Sequence, residues 1–168
     1  MLGTAGLRIG EALGLKWSDV DLAAGRLQVR RALQRQRGRG LVFVEPKSYR
    51  SRRMVCICRL AVEALSEQRQ HNDRELVFLN RQGLPQDASS VTDALKLAMD
   101  RAGWPQIRVQ DLRHTTATVL LEAGAHPKLV QDLLGHSTVA LTLNTYSHVT
   151  AGLSDQAAKA MDCILRTT

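Results

Sequence analysis

The spacing of apolar residues changes period twice along this chain, and that change limits the folds it can adopt. Over residues 4–15, Leu7, Ala12 and Leu15 recur at helical spacing. From 26 to 57 the spacing shortens to alternation, and 26–33, 41–45 and 53–57 read as three strands. Gly38 and Gly40 mark the first turn, and residues 46–51, opened by Pro46, mark the second. Strands joined by tight turns give a small antiparallel sheet. Helical spacing then returns. Residues 60–71 put Ala61, Val62 and Leu65 on one side, and 87–102 form a helix stopped by Gly103. Asp111 fits the N-cap of a helix ending at Gly124, and Pro127 opens one that Gly135 stops. Ser137 can cap a further short helix. Residues 153–165 carry Ala157, Ala158, Met161, Ile164 and Leu165 as an apolar stripe. The expected fold is α+β and mainly α-helical: one domain over 1–168, with a three-stranded antiparallel sheet near its N-terminal end.

Charge narrows the class of partner. The formal net charge of +7 favours a polyanion, and nucleic acid is the commonest one. A basic surface kept for solubility is the plainer alternative. Three cysteines, an odd count, argue against a disulfide framework and for a reducing compartment. Cys56 and Cys58 alternate on an apparent strand, one expected to face inward and the other outward. They lack a second ligand pair at a useful spacing for zinc. No apolar run approaches the length of a membrane span, and the first residues lack the architecture of a signal peptide. A soluble, cytoplasmic protein without metal or cofactor is expected.

Five scattered residues carry the chemistry: Arg8 in GLRIGE, Lys47 in EPKSYRSRR, Arg113 in DLRHTTAT, His136 in LLGHS and Tyr146 in LNTYSHV. With no carboxylate cluster beside them, they form an anion-handling set. Bidentate guanidinium groups match the oxygens of a pentacoordinate phosphorus better than ammonium groups do. Arg8 and Arg113 each fall on an expected helix. Taken alone, each is as well explained by a structural ion pair, for example Arg8 with Glu11. Lys47 sits in a basic turn with Tyr49, Arg50, Arg52 and Arg53, a shape suited to a DNA groove or backbone. A lysine there can also act as general acid. His136 lies at a helix boundary and can bond a phosphate oxygen in either protonation state. Tyr146 stands among Asn144, Thr145, Ser147 and His148. Its ordinary pKa of about 10 means that it needs cationic neighbours to become a nucleophile.

In order, Gly-Leu-Arg-x-Gly-Glu, Asp-Leu-Arg-His-Thr, and Leu-Gly-His-Ser followed by Tyr-Ser-His resemble the boxes of tyrosine recombinases, above all integrases of phages and genomic islands. The likeness runs from Gly6 to about Leu165. It implies that Arg8 and Arg113 clamp the scissile phosphate with help from His136. Lys47 would protonate the leaving 5′ hydroxyl, and Tyr146 would attack to give a 3′-phosphotyrosyl link. Glu11 would support Arg8, and His114 would brace the helix of Arg113. His114 also joins Lys47, Tyr49, Arg50, Arg52 and Arg53 in the set expected to meet DNA. The implied partners are double-stranded DNA at attachment-type sites near the nucleoid, further copies of the chain on that DNA, and an accessory directionality factor.

Two departures stand out. The family usually has a histidine three residues before the second arginine. Here Gln110 takes that place and can donate a hydrogen bond but carry no proton. The family also carries an N-terminal DNA-clamping domain and further helices ahead of the first arginine box, which here starts at Gly6. The chain is therefore expected to lack both, as a fragment or a decayed remnant. The alternatives to an active recombinase are a remnant that only binds DNA, and a regulator whose helix pair over 111–135 imitates a helix-turn-helix.

Overall fold

The computed structural model describes residues 1–45 and 52–136, together with 138, 140 and 142. Two short helices, α1 (Leu2–Ala5) and α2 (Ile9–Leu13), stand where one helix was expected over 4–15. The break is at Gly6, whose φ is 60°. A β carbon there would lie 2.8 Å from Leu134 Cδ2, so glycine serves both the left-handed turn and the close approach. The break moves Arg8 from mid-helix to the extended N-cap position of α2.

A 3₁₀ turn (Trp17–Asp19) leads into β1 (Val20–Asp21), then β2 (Arg26–Val29), β3 (Ala32–Gln36), β4 (Gly40–Val44) and β5 (Arg53–Cys56). The strand expected over 26–33 is thus divided at Arg30 and Arg31. Both lean on the buried carboxylate of Asp19: Arg31 bonds it directly, and Arg30 Nε lies 3.6 Å away. β2 is the middle of an antiparallel sheet ordered β1-β2-β5, where Leu27 faces Val20 on one side and Val55 on the other. β3 and β4 form a separate hairpin with Leu33 opposite Phe43. The three-stranded sheet therefore exists, but β1 replaces the 41–45 strand in it.

α3 (Arg59–Gln70) buries Ala61 and Leu65 in the main core with Leu7, Leu27, Val55 and Val77. Full burial of a leucine stabilises by about 1.5–3 kcal/mol, so this cluster fixes the sheet on the N-terminal segment. α4 (Ala88–Ala102) is capped by Asp87, whose carboxylate accepts from Ser89 N–H, and stops at Gly103. α5 (Val109–Glu122) begins before the expected Asp111. Arg108 is its N-cap, and Asp111, three residues on, accepts the Arg108 backbone N–H at 2.8 Å. α6 (Pro127–Leu134) starts with proline and ends at left-handed Gly135, as the sequence indicates. Ala117 and Leu121 of α5 pack on Val130 and Leu134 of α6 in a second cluster.

Cys56 and Cys58 are both exposed. Residues two apart on an extended chain share a face, so one cannot point in and the other out. Among the described residues no helix is long and apolar enough to cross a membrane. The helix expected after Ser137 lies largely outside the described residues, and the stripe over 153–165 lies wholly outside them.

Candidate functional site

The site is organised around a buried carboxylate. Glu11 is 6% exposed and sits three residues into α2. Its Oε2 accepts the backbone N–H of Arg8 at 2.8 Å, and its Oε1 accepts Arg8 Nη1 at 2.9 Å. From β5, Arg53 reaches the same carboxylate with Nη1 to Oε1 at 3.0 Å and Nη2 to Oε2 at 2.9 Å. Burial pushes the Glu11 carboxyl up. The hydrogen bonds and charge of Arg53, then the backbone N–H and charge of Arg8, outweigh that push and hold it below its ordinary value. The Arg8 side chain remains 42% exposed, so its guanidinium is steadied from behind and open in front.

Arg113 belongs to the buried face of α5 and is 2% exposed. Its Nη1 donates to the carbonyl of Gly6, and its Nη2 donates to that of Leu134 at 2.6 Å. One guanidinium thereby ties the turn before Arg8 to the end of α6, two residues before His136. The His136 N–H donates to Gln131 O at 3.1 Å, and Gln131 Nε2 returns a bond to His136 O at 3.1 Å. His136 Nδ1 lies 2.9 Å from Thr142 Oγ1, a contact whose donor depends on the tautomer. Burial first, and then the charges of Arg113, Arg8, His114 and Arg53, lower the imidazole to about 4. His136 is neutral at pH 7 and can donate one hydrogen bond without adding charge. Arg8, Arg113 and His136, far apart in sequence, are therefore brought into one connected frame.

The other sequence expectations divide. Gln110 is exposed on the first turn of α5 and lines an open cleft of about 900 Å³ with Arg8, Arg35 and Asp87. His114 is half-buried on α5, within electrostatic reach of His136. Arg52 is exposed and bonds Glu45 at 2.5 Å across the stems of the basic turn. Arg53 departs from expectation: it is not a solvent-facing DNA contact, because its side chain is 7% exposed and engaged with Glu11. Alternation supplies the reason, since Arg53, Val55 and Ile57 share the inward face of the sheet. Lys47, Tyr49, Arg50 and Tyr146 lie outside the described residues. Sequence reasoning assigned no role to Gln131 or Thr142. A buried glutamine on α6 carried no local signal, and among the described residues Thr142 is tied to the site through its contact with His136.

Comparison with known proteins identifies the family. The model of the phage integrase family matches residues 1–152. A tyrosine recombinase XerC-like protein of Caldanaerobacter subterraneus subsp. tengcongensis is 36% identical over 86% of this chain and 43% of its own length. The tyrosine recombinase XerD of Corynebacterium glutamicum is 36% identical over 90% of this chain and 47% of its own. Among solved structures, the Tn1549 transposon integrase in complex with circular intermediate DNA superposes with a TM-score of 0.85 at 27% identity, covering 97% of this chain and 57% of that one. The XerA recombinase superposes with a TM-score of 0.70 at 27% identity, over 95% of this chain and 55% of that one. The chain thus spans about half the length of the curated relatives it matches. With the ordered boxes, the assembled arginines and a family match over nearly its whole length, the chain belongs to the phage integrase family of tyrosine recombinases.

Proposed function

We propose that this chain is the catalytic domain of a site-specific recombinase that cuts and rejoins double-stranded DNA through a phosphotyrosyl intermediate. The observation that carries the reading is the convergence of Arg8, Arg113 and His136 on one buried frame. Arg8 and Arg113 neutralise charge as it develops on the non-bridging oxygens, and the imidazole of His136 donates to one of them. Tyr146 Oη gives up its proton to solvent and attacks the phosphorus, the bond from phosphorus to the 5′ oxygen breaks, and Lys47 gives that oxygen a proton. In the reverse step a 5′ hydroxyl of the exchanged strand attacks the phosphotyrosine, and Tyr146 leaves. One phosphodiester is traded for another, so rejoining needs no outside energy source.

The basic turn supplies the wider DNA contact through Lys47, Tyr49, Arg50 and Arg52, with His114 beside the phosphate. The net charge of +7 supports that role. Gln110 takes part as an uncharged donor at the edge of the clamp. Assembly as several copies on DNA, direction set by an accessory factor, and residence at the nucleoid are parts of the same proposal. The test is a covalent trap: folded protein is mixed with nicked duplexes spanning the ends of the element that encodes it. The expected result is an SDS-resistant protein–DNA band that Tyr146→Phe abolishes. Protein that retards the same duplexes without forming the band would point to DNA binding alone.

A further inference from the structure

We propose that Arg53 is a positioning residue for strand cleavage: from the inner face of β5 it fixes both the carboxylate that steadies Arg8 and the turn that presents His136. The proposal rests on the recombinase reading above and goes beyond it, because Arg53 lies outside the set that meets the phosphate.

Three bonds define the role. Arg53 Nη1 and Nη2 grip the two oxygens of Glu11 at 3.0 and 2.9 Å. Its Nε donates to the Leu133 carbonyl at 2.6 Å. Glu11 in turn holds Arg8 by backbone and side chain, so the first clamp arginine is set at second hand by a residue far along the chain. On the other side, left-handed Gly135 passes so close that a β carbon there would lie 2.9 Å from Arg53 Nη1 and 3.1 Å from its Cδ. The turn into His136 is therefore packed on the Arg53 side chain. One planar group with a fixed fork of donors can serve a carboxylate and a carbonyl together. A lysine offers one nitrogen and restores the charge beside Glu11 without the fork. A methionine fills space and leaves Arg8 as the described partner of the carboxylate, which draws Arg8 back from the phosphate.

This role separates from that of a DNA contact. A residue that binds DNA changes the concentration needed for half-saturation. One that places Arg8 and His136 changes the rate once DNA is saturating. The experiment measures single-turnover covalent adduct formation on nicked duplexes for wild type, Arg53→Lys and Arg53→Met, at a temperature where urea titration shows each variant folded. Arg53→Met should keep half-saturation within about threefold and lower the saturating rate about 100-fold, the scale of an ångström-sized misplacement. Arg53→Lys should fall between the two. If Arg53→Met does not fold, the comparison of Arg53→Lys with wild type decides the matter. A folded variant that reacts at the wild-type rate overturns the proposal and leaves the recombinase reading intact. So does one whose defect lies wholly in half-saturation. A wild-type chain that forms no adduct on these duplexes refutes both.

Discussion

Replacing Gly10 with alanine sets two effects of opposite sign against each other. Gly10 lies inside α2, where alanine is intrinsically better by about 0.8–1 kcal/mol. Its φ is not positive, so the backbone itself accepts a side chain. The obstacle is β3: a β carbon on Gly10 would lie 2.9 Å from the Leu33 carbonyl oxygen and 3.5 Å from Ala32 Cβ. Gly14 meets the same strand, with Leu33 N at 3.0 Å. Strand backbone cannot swing aside as a side-chain tip can, and overpacking costs about 1–3 kcal/mol. With the cost near its upper end, the net loss is about 2 kcal/mol. Gly3→Ala is the matched control, because it lies in α1 and a β carbon there meets nothing within 4 Å. Urea unfolding followed by far-UV circular dichroism measures both. With a slope of about 2 kcal/mol per molar, Gly10→Ala should lower the midpoint by about 1 M. Gly3→Ala should leave it level or raise it slightly. A Gly10→Ala chain as stable as wild type would mean that β3 does not press on α2 and that the cradle of the first arginine box is built otherwise.

The remaining expectations concern the charged groups. His136, lowered to about 4 from an ordinary 6.5, takes up its proton later than the unfolded chain does. Its contribution to stability is therefore complete above about pH 6.5 and is lost as pH falls toward 4. An NMR titration of the imidazole should show this midpoint in the free chain, and a midpoint near 6.5 would contradict the burial of the ring and its crowding by cations. Glu11 acts in the same direction, since its lowered carboxyl stabilises above its unfolded value and ceases to as pH falls through its folded one. Glu11→Leu leaves the buried Arg53 guanidinium without its carboxylate and should cost about 3–5 kcal/mol in urea titration; a loss under about 1 kcal/mol would mean that water screens the pair. Gln110→His should raise the single-turnover cleavage rate, and an unchanged rate would show that this exposed position matters little.

Much of the fold was legible because local signals agreed with their surroundings. Pro127 and Gly135 bound α6, Asp87 and Gly103 bound α4, and the alternation around Val55 marked a strand. The failures have physical causes. Gly6 ends α1 in a left-handed turn, and Leu134, distant in sequence, lies too close to it for a side chain. The split between β2 and β3 depends on Asp19 drawing in two arginines. In the site, the ordered boxes point to Arg8, Arg113 and His136, and these three lie near one another in the fold. Basic neighbours in sequence group Arg53 with the residues expected to face DNA. Carrying the alternation of Ile57 and Val55 one step back would have turned it inward. That Arg113 spends donors on the carbonyls of Gly6 and Leu134 has no sequence signature, because both acceptors are backbone atoms.

On the proposed mechanism, Arg8, Arg113 and His136 serve a tyrosine that joins the chain to DNA. The chain has two tyrosines, so the decisive measurement is to digest the trapped adduct and locate the nucleotide-bearing residue by mass spectrometry. A 3′-phosphoryl nucleotide on Tyr146, absent from Arg113→Ala protein that still binds the duplex, is the predicted result. A nucleotide on Tyr49, or adduct formation undiminished in Arg113→Ala, would contradict it.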